Sequence, residues 1–234
     1  MKLSIVIPAY NEEATIESII RRVQAVDLGA VEKEIIVVND GSKDGTERVL
    51  QGITGIRHLT HERNSGKGAA LTTGFRAATG DIILIQDADL EYDPHDYAAV
   101  IRPIVEGRAD VVMGSRFILY KFKLFGKRRS PYLFHYLGNQ LVTTFTNLLY
   151  GQRFTDYEGC YKAFRRPAVV STPVIAKGFE FDNELMCKLL RKGARVVEVP
   201  IRYVPRTYES GKKITWRHGV IMLWTILQWR VRPL

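Results

Sequence analysis

Residues 3–12 read Leu3-Ser-Ile-Val-Ile-Pro-Ala-Tyr-Asn-Glu12, an apolar, β-branched run that breaks at a proline into polar residues. Such a run suits a strand buried on both faces. Four more runs of this kind follow at Glu34–Asn39, Ile56–Thr60, Asp81–Gln86 and Asp110–Gly114. Helical patterns separate them. Ile16, Ile19, Ile20, Val23 and Val26 share one face of a helix expected to start near Asn11, with Glu12 and Glu13 at its positive end. Ala69, Ala70, Leu71 and Phe75 open a second helix; Tyr97, Val100, Ile101, Ile104 and Val105 stripe a third. This alternation predicts an α/β fold, a doubly wound, mostly parallel sheet with right-handed crossovers. Ligands of such sheets bind outside the carboxyl ends of the strands, so the polar residues after each strand are the candidates for function.

Beyond residue 116 the pattern changes. A basic stretch, Lys121–Arg129, precedes a long helical pattern with Leu133, Leu137, Leu141, Phe145 and Leu148 on one stripe. A polar segment at Thr155–Lys162, a short helix near Asn183–Arg191 and a strand at Arg195–Val204 follow. The uncharged run Gly219–Trp229 has eleven residues, well short of the ~20 a spanning helix needs. The reading is one catalytic domain, 1–210, with a first half at 1–115 and a second at 116–210, and a basic amphipathic C-terminal extension at 211–234 that would lie at a membrane interface.

The net charge of +9 divides unevenly: residues 1–115 carry −6 and residues 116–234 carry +15. The second half therefore suits an anionic partner. The two cysteines, Cys160 and Cys187, form no disulfide or zinc pattern, which fits a reducing compartment. The chain opens directly into a strand with no leader-like segment. Together these features predict a cytoplasmic protein, peripheral on the cytoplasmic face of a membrane.

Four loops at strand ends carry the chemistry: Pro8-Ala-Tyr-Asn-Glu12, Asn39-Asp-Gly-Ser-Lys-Asp-Gly45, Asn64-Ser-Gly-Lys-Gly68 and Gln86-Asp-Ala-Asp-Leu-Glu91. Taken singly, an Asp-Gly pair makes an ordinary turn, Asn11 serves as a helix cap, and the loop around Lys67 lacks the spacing of a phosphate-binding Walker sequence. The fourth is the sharpest. Strand alternation sets Asp87 and Asp89 on one side with Glu91 beyond. Three convergent carboxylates call for a hard cation, Mg²⁺ or Mn²⁺, shared with substrate phosphates.

As a set, the loops resemble the inverting family 2 glycosyltransferases of GT-A fold, within them the dolichol-phosphate mannose synthase-like branch. Ile5-Val-Ile-Pro-Ala-Tyr-Asn-Glu12, Val38-Asn-Asp-Gly-Ser42, Gly66-Lys-Gly-Ala-Ala70, Asp87-Ala-Asp89, Gly114-Ser-Arg-Phe117 and Thr155-Asp-Tyr-Glu-Gly-Cys-Tyr-Lys162 occur in that family's order. The resemblance implies that Pro8, Tyr10 and Glu12 line the base and ribose pocket and that Asp40 contacts the base or ribose. It implies that Lys67 positions the nucleotide and that Asp87, Ala88 and Asp89 form the DxD motif. The metal would fall to Asp87, Asp89 and Glu91, although Gln or Ser often stands near the place of Glu91 in mannose synthases. Arg116 would grip the acceptor phosphate, with Arg128 or Arg129, Arg202, Arg206, Lys212 and Lys213 completing that site. Asp156 and Glu158 would orient the donor sugar or the acceptor. Many relatives add transmembrane helices, which this sequence does not reach.

The function so implied is metal-dependent transfer of mannose or glucose from a GDP- or UDP-sugar to a polyprenyl or dolichyl phosphate with inversion. An anionic phosphate nucleophile needs positioning and electrostatics rather than a strong base. A soluble enzyme acting on a sugar hydroxyl, with Asp156 or Glu158 as base, is the main alternative. A processive polysaccharide synthase lacks support, because Gln228-Trp-Arg230 is not a Gln-x-x-Arg-Trp motif. A nucleotide-sugar-binding regulator is the non-enzymatic alternative. A nucleic-acid partner is not expected, for want of an aromatic-and-basic motif; a homo-oligomer is left open.

Overall fold

β1 (Lys2–Ala9) is buried almost throughout and lies inside the sheet, which accounts for its unbroken apolar sequence. The computed structural model describes residues 1–118, 133–204 and 216–234. After β1 come α1 (Ile16–Ala25), β2 (Glu32–Asn39), α2 (Thr46–Gln51), β3 (Arg57–Thr60), α3 (Lys67–Ala77) and β4 (Ile82–Ile85). A 3-10 turn (Pro94–Asp96), α4 (Tyr97–Val105), β5 (Val111–Ser115) and α5 (Leu133–Tyr150) follow. β6 (Lys162–Arg165), α6 (Arg166–Val170), α7 (Phe181–Arg191), β7 (Val196–Pro200) and α8 (Trp216–Val231) complete the described elements.

The strands form one seven-stranded sheet in the order β3-β2-β1-β4-β6-β5-β7. Strands β1 to β4 pair in parallel, as do β5 and β7. β6 runs antiparallel to both β4 and β5. The doubly wound, mostly parallel architecture expected from the sequence is thus present. β6 itself was not expected: four residues, Lys-Ala-Phe-Arg, show no alternation long enough to mark a strand. Its direction matters, because an antiparallel strand begins where its neighbours end. The Thr155–Tyr161 segment is thereby delivered to the carboxyl ends of β4 and β5, with Gly114 N–H donating to Tyr161 O at 2.7 Å.

One sequence expectation needs correction. The first helix starts at Ile16, not near Asn11. Asn11 instead adopts a left-handed conformation at φ 54°. Its N–H donates to Ser42 Oγ at 3.0 Å and its Oδ1 accepts from Lys43 N–H at 2.8 Å, which stitches the first loop to the second. In α5, three leucines of the predicted stripe face outward while Phe145 packs against the core. Leu137, Leu141 and Leu148 are exposed, Leu148 by 78%, while Asn139, Val142, Thr143 and Thr146 are buried. The described part of the 211–234 segment, α8, packs against α5 and α7 with Ile226 and Trp229 in the core. Lys188 of α7 lies 3.8 Å from the centroid of the Trp229 ring, within cation–π range.

Charged contacts knit the strand ends remote from the loops. Glu34 takes Lys2 in a 2.5 Å ion pair and also accepts from Ser4 and Thr79. Burial alone would raise its pKa, but these partners together bring it down to about 2. Hydrogen bonds from Arg195 bring Asp110 down to about 2 as well, against the raising effect of burial. Folded values below the unfolded ones of roughly 4 mean stability that is present above that value and lost as pH falls towards 2. Urea midpoints should therefore hold steady from pH 7 to about 5 and fall between about 4 and 2, and Glu34→Gln should flatten part of that decline. Equal midpoints for the wild type at pH 7 and pH 2 would contradict this.

Candidate functional site

β4 stops at Ile85, and the Asp87–Glu91 segment is a turn beyond it rather than more strand. Alternation therefore does not orient Asp87 and Asp89. Gln86 does: its Oε1 accepts from the hydroxyls of Tyr97 and Tyr161, both at 2.7 Å, and its Nε2 donates to Asp87 O at 2.9 Å. This buried amide anchors the start of the turn. Asp89 Oδ1 then accepts from Glu91 N–H at 3.1 Å, and Leu90 between them sits at φ 63°. A branched residue in that region is strained, and such strain persists where the surroundings over-determine it. Ala88 is buried within the turn.

Asp87 pairs with Lys67 at 2.7 Å. Burial opposes both charges and is the largest single influence on each, but the partner and the neighbouring groups together outweigh it, so the Lys67 pKa is raised and that of Asp87 lowered. The Lys67 loop is built for close approach. A Cβ on Gly66, at φ 98°, would come within 2.3 Å of Lys177 O. Asp40 holds the same loop from the other side. Its oxygens accept from the N–H groups of Ser65 at 2.9 Å and Gly66 at 2.7 Å, and lie 2.7 Å from His61 Nδ1. His61 was not singled out from the sequence and carries no local motif that would have done so.

Arg116 and Asp156 form the most enclosed ion pair near these loops. Arg116 donates from Nε at 2.6 Å, Nη2 at 2.7 Å and its backbone N–H at 3.0 Å. Asn139 of α5 adds a bond to Asp156 Oδ1 at 2.7 Å. Asp156 has no solvent exposure. Burial would raise its pKa, but Arg116 and Asn139 hold it below the usual carboxylate range. Glu198 of β7 accepts the backbone N–H groups of Thr155 and Asp156, fixing the segment that carries the carboxylate. Among the described residues Arg116 Nη1 makes no hydrogen bond. The Arg116 guanidinium also lies 5.1 Å from the centroid of the Tyr203 ring, and the Tyr203 hydroxyl donates to Glu91 Oε2 at 3.1 Å. Tyr203 therefore joins the DxD turn to the arginine. Neither Tyr203 nor Glu198 was marked by any sequence pattern.

The remaining candidates are spread more widely. Pro8, at the carboxyl end of β1, and Tyr10 are half-buried. Glu12 accepts from Thr15 Oγ1 at 2.8 Å, and its N–H donates to Thr46 Oγ1 at 2.9 Å. Glu158 accepts from Asn183 Nδ2 at 2.7 Å, and burial raises its pKa. Arg202 pairs with Asp96 at 2.8 Å and Asp93 at 3.3 Å. Arg128, Arg129, Arg206, Lys212 and Lys213 lie outside the described residues.

A divalent cation fits the donor chemistry of Asp89 and Glu91, hard oxygens two residues apart. Mg²⁺ commonly takes one or two carboxylates and completes its shell with substrate phosphates and water. The three-carboxylate convergence expected from the sequence is not formed. Among the described residues no group of three His, Cys, Asp or Glu side chains is placed to hold a metal, and the Asp87 carboxylate meets Lys67 instead.

The profile of Glycosyl transferase family 2 matches residues 4–171. The UDP-N-acetylglucosamine–dolichyl-phosphate N-acetylglucosaminyltransferase of Methanococcus voltae is 29% identical, over 89% of this chain and 88% of that protein. The low-salt glycan biosynthesis hexosyltransferase Agl6 of Haloferax volcanii is 32% identical over 94% of this chain, which spans only 53% of its length. Among solved structures, glucosyl-3-phosphoglycerate synthase of Mycobacterium tuberculosis, in complex with Mn²⁺, UDP and phosphoglyceric acid, superposes with a TM-score of 0.73. It is 25% identical and covers 100% of this chain and 80% of its own.

Removing one partner of a buried pair leaves the other uncompensated, which costs about 3–5 kcal/mol. Asp156→Ala should therefore lower unfolding stability by about that much, whereas Asp156→Asn, which keeps an acceptor for Arg116, should lose less. Chemical denaturation of the two variants checks both the size and the order.

Proposed function

The chain belongs to glycosyl transferase family 2, and from that membership we propose that it moves a hexosyl group from a nucleotide-sugar to a polyprenyl or dolichyl phosphate with inversion. The observation that carries this reading is Arg116. Asp156 fixes one side of its guanidinium, and Nη1 makes no bond among the described residues. A fork so oriented suits a phosphate oxygen, which takes charge-assisted bonds from arginine. The acceptor named for the Methanococcus voltae relative, dolichyl phosphate, is of this class. That relative and the Mycobacterium tuberculosis structure both name UDP, which favours a uridine donor over a guanosine one.

In this reading the acceptor phosphate is the nucleophile. Its oxygen forms a bond to the anomeric carbon as the bond from that carbon to the nucleoside diphosphate breaks. Arg116 holds the acceptor, and no protein base is required. Lys67 offsets charge on the departing diphosphate. Asp89 and Glu91 would hold a divalent cation, which when bound would supply further neutralisation of that leaving group. Pro8, Tyr10, Glu12 and Asp40 form the nucleoside side. One observation favours the alternative hydroxyl acceptor: burial raises the Glu158 pKa, as a general base requires.

Nucleotide release from UDP-glucose, UDP-N-acetylglucosamine and GDP-mannose, with and without a polyprenyl phosphate, decides between them. Release should depend on the lipid phosphate, stop in EDTA and return with Mg²⁺ or Mn²⁺. Asp89→Ala should remove most of it. Arg116→Lys, which keeps charge but loses the fork, should raise the KM for the lipid phosphate by about tenfold with donor affinity unchanged. Release driven by a free sugar and not by the lipid would establish the hydroxyl reading.

The same reading includes attachment to the cytoplasmic face of a membrane. Among the described residues no helix is long and apolar enough to cross one. The supporting features are Leu137, Leu141 and Leu148 on α5, and Val220, Ile221, Trp224 and Leu227 on α8, all exposed. Arg217, Arg230 and Arg232 stand beside the latter. Apolar side chains flanked by cations suit the headgroup region. The protein should float with anionic vesicles at low salt and be released as ionic strength rises, and Trp224→Glu should weaken the attachment. Flotation that ignores both charge and salt would count against it.

A further inference from the structure

α3 begins at Lys67, and its start carries no side-chain cap, since the residue before it is Gly66, at φ 98°. The first amides of a helix have no partner within it and find one elsewhere. Here the partner is the carbonyl of Lys177, which accepts from the N–H groups of Gly68 at 2.7 Å and Ala69 at 3.3 Å. The approach is close enough to demand glycine: a Cβ on Gly68 would meet Ala176 O at 2.8 Å and Lys177 C at 2.9 Å. The place of Lys67 is therefore set by residues 173–177, which belong to no helix or strand.

Two side chains of α7 fix that segment. Glu184 Oε1 accepts from Ile175 N–H and Oε2 from Ala176 N–H, both at 2.9 Å. Lys188 Nζ, one turn further on, donates to Pro173 O at 2.5 Å and to Glu184 Oε1 at 2.6 Å. Glu184 is 1% exposed and Lys188 6%, and the Trp229 ring of α8 covers the ammonium. Taking two charges out of water is costly, and an apolar pair of similar volume would hold α7 in the core as well or better. Such a pair would not accept two backbone N–H groups and donate to a carbonyl. What the charged pair adds is the placement of residues 173–177, and through it the start of α3.

We propose that Glu184 and Lys188 are positioning residues for the donor's diphosphate, acting through Lys177 and the start of α3 on Lys67. This rests on the reading that Lys67 meets that diphosphate. Neither residue touches the reacting groups; both hold the backbone of Lys67 where its ammonium reaches the leaving group. A misplacement of about 1 Å at such a site can cost about a hundredfold in rate.

The test is the double variant Glu184→Leu/Lys188→Met, which removes both charges together and leaves neither buried alone. Calorimetric titration with UDP and with GDP reads its affinity for the nucleoside diphosphate. For the one that the wild type binds, affinity should weaken by about tenfold, while the KM for the acceptor stays unchanged. Glu184→Gln/Lys188→Met, which keeps one acceptor for the segment, should recover part of that loss. It also replaces the first variant should that one fail to melt cooperatively. In a Lys67→Gln background the same double change should cost nothing further, because its effect passes through that lysine. An unchanged diphosphate affinity, an equal loss in the acceptor's KM, or the full loss without Lys67 would each overturn the assignment. So would failure of both variants to fold, which would make the pair a requirement of the fold alone. A wild type that binds neither diphosphate would defeat the donor reading beneath it.

Discussion

Asp156 is cut off from solvent, and its charge is tolerable because Arg116 meets it with three donors and Asn139 with a fourth. A lone carboxylate in that position would be neutralised or expelled. Its partners come from the end of β5 and from α5, while Glu198 of β7 anchors the backbone on either side of Thr155. The pair is therefore both a tie between separate parts of the second half and a means of orientation. A guanidinium held along one edge has few ways to point the other, which is the preorganisation that electrostatic catalysis needs. Stability and orientation here come from the same atoms.

The Lys67–Asp87 pair is of another kind. About a fifth of each side chain is open to solvent, 21% and 20%. Exchanging partners there exposes no sealed charge, so on the proposed function Lys67 would turn from Asp87 to an incoming diphosphate. The turn that carries Asp87 is nonetheless fixed at both ends, by Gln86 with its two tyrosines and by the Tyr203–Glu91 bond. Rigid backbone with exchangeable side-chain partners is what a site requires if charge is to enter and leave it during a reaction. Tyr203, touching both Glu91 and the Arg116 guanidinium, links this exchangeable half to the sealed one.

The parallel sheet was legible in the sequence because doubly buried strands announce themselves as apolar runs, and the loops followed from where those runs stop. β6 was not legible: its four residues are too few for a period, and its pairing depends on neighbours far away in the chain. The motif residues Asp40, Lys67, Asp87, Asp89 and Arg116 stood out as charges at strand ends. Their partners did not. His61, Asn139, Glu198 and Tyr203 are ordinary polar residues whose roles exist only after folding brings them to a charge. The start of α1 was misplaced for a related reason, since a cap-like asparagine reads the same whether it caps a helix or stitches two loops together.

α5 shows how one requirement propagates. Its inner face must serve Asp156, so it presents Asn139 there, with Thr143 accepting the N–H of Tyr157 and donating to Asn139. With Asn139, Thr143 and Thr146 on the inner face beside Val142, three of its leucines, Leu137, Leu141 and Leu148, lie on the outer one. α8 covers part of this helix and is itself apolar on both sides, with Ile226 and Trp229 inward and Trp224 and Leu227 outward. The exposed leucines of α5 thus lie opposite the polar residues that help to bury the Asp156 charge. Exposed apolar side chains on two packed helices suit a contact with a partner or a lipid phase. On the proposed function, a lipid phosphate would match both halves of this arrangement, with an anionic head group for the fixed arginine and an apolar boundary for the helix beside it.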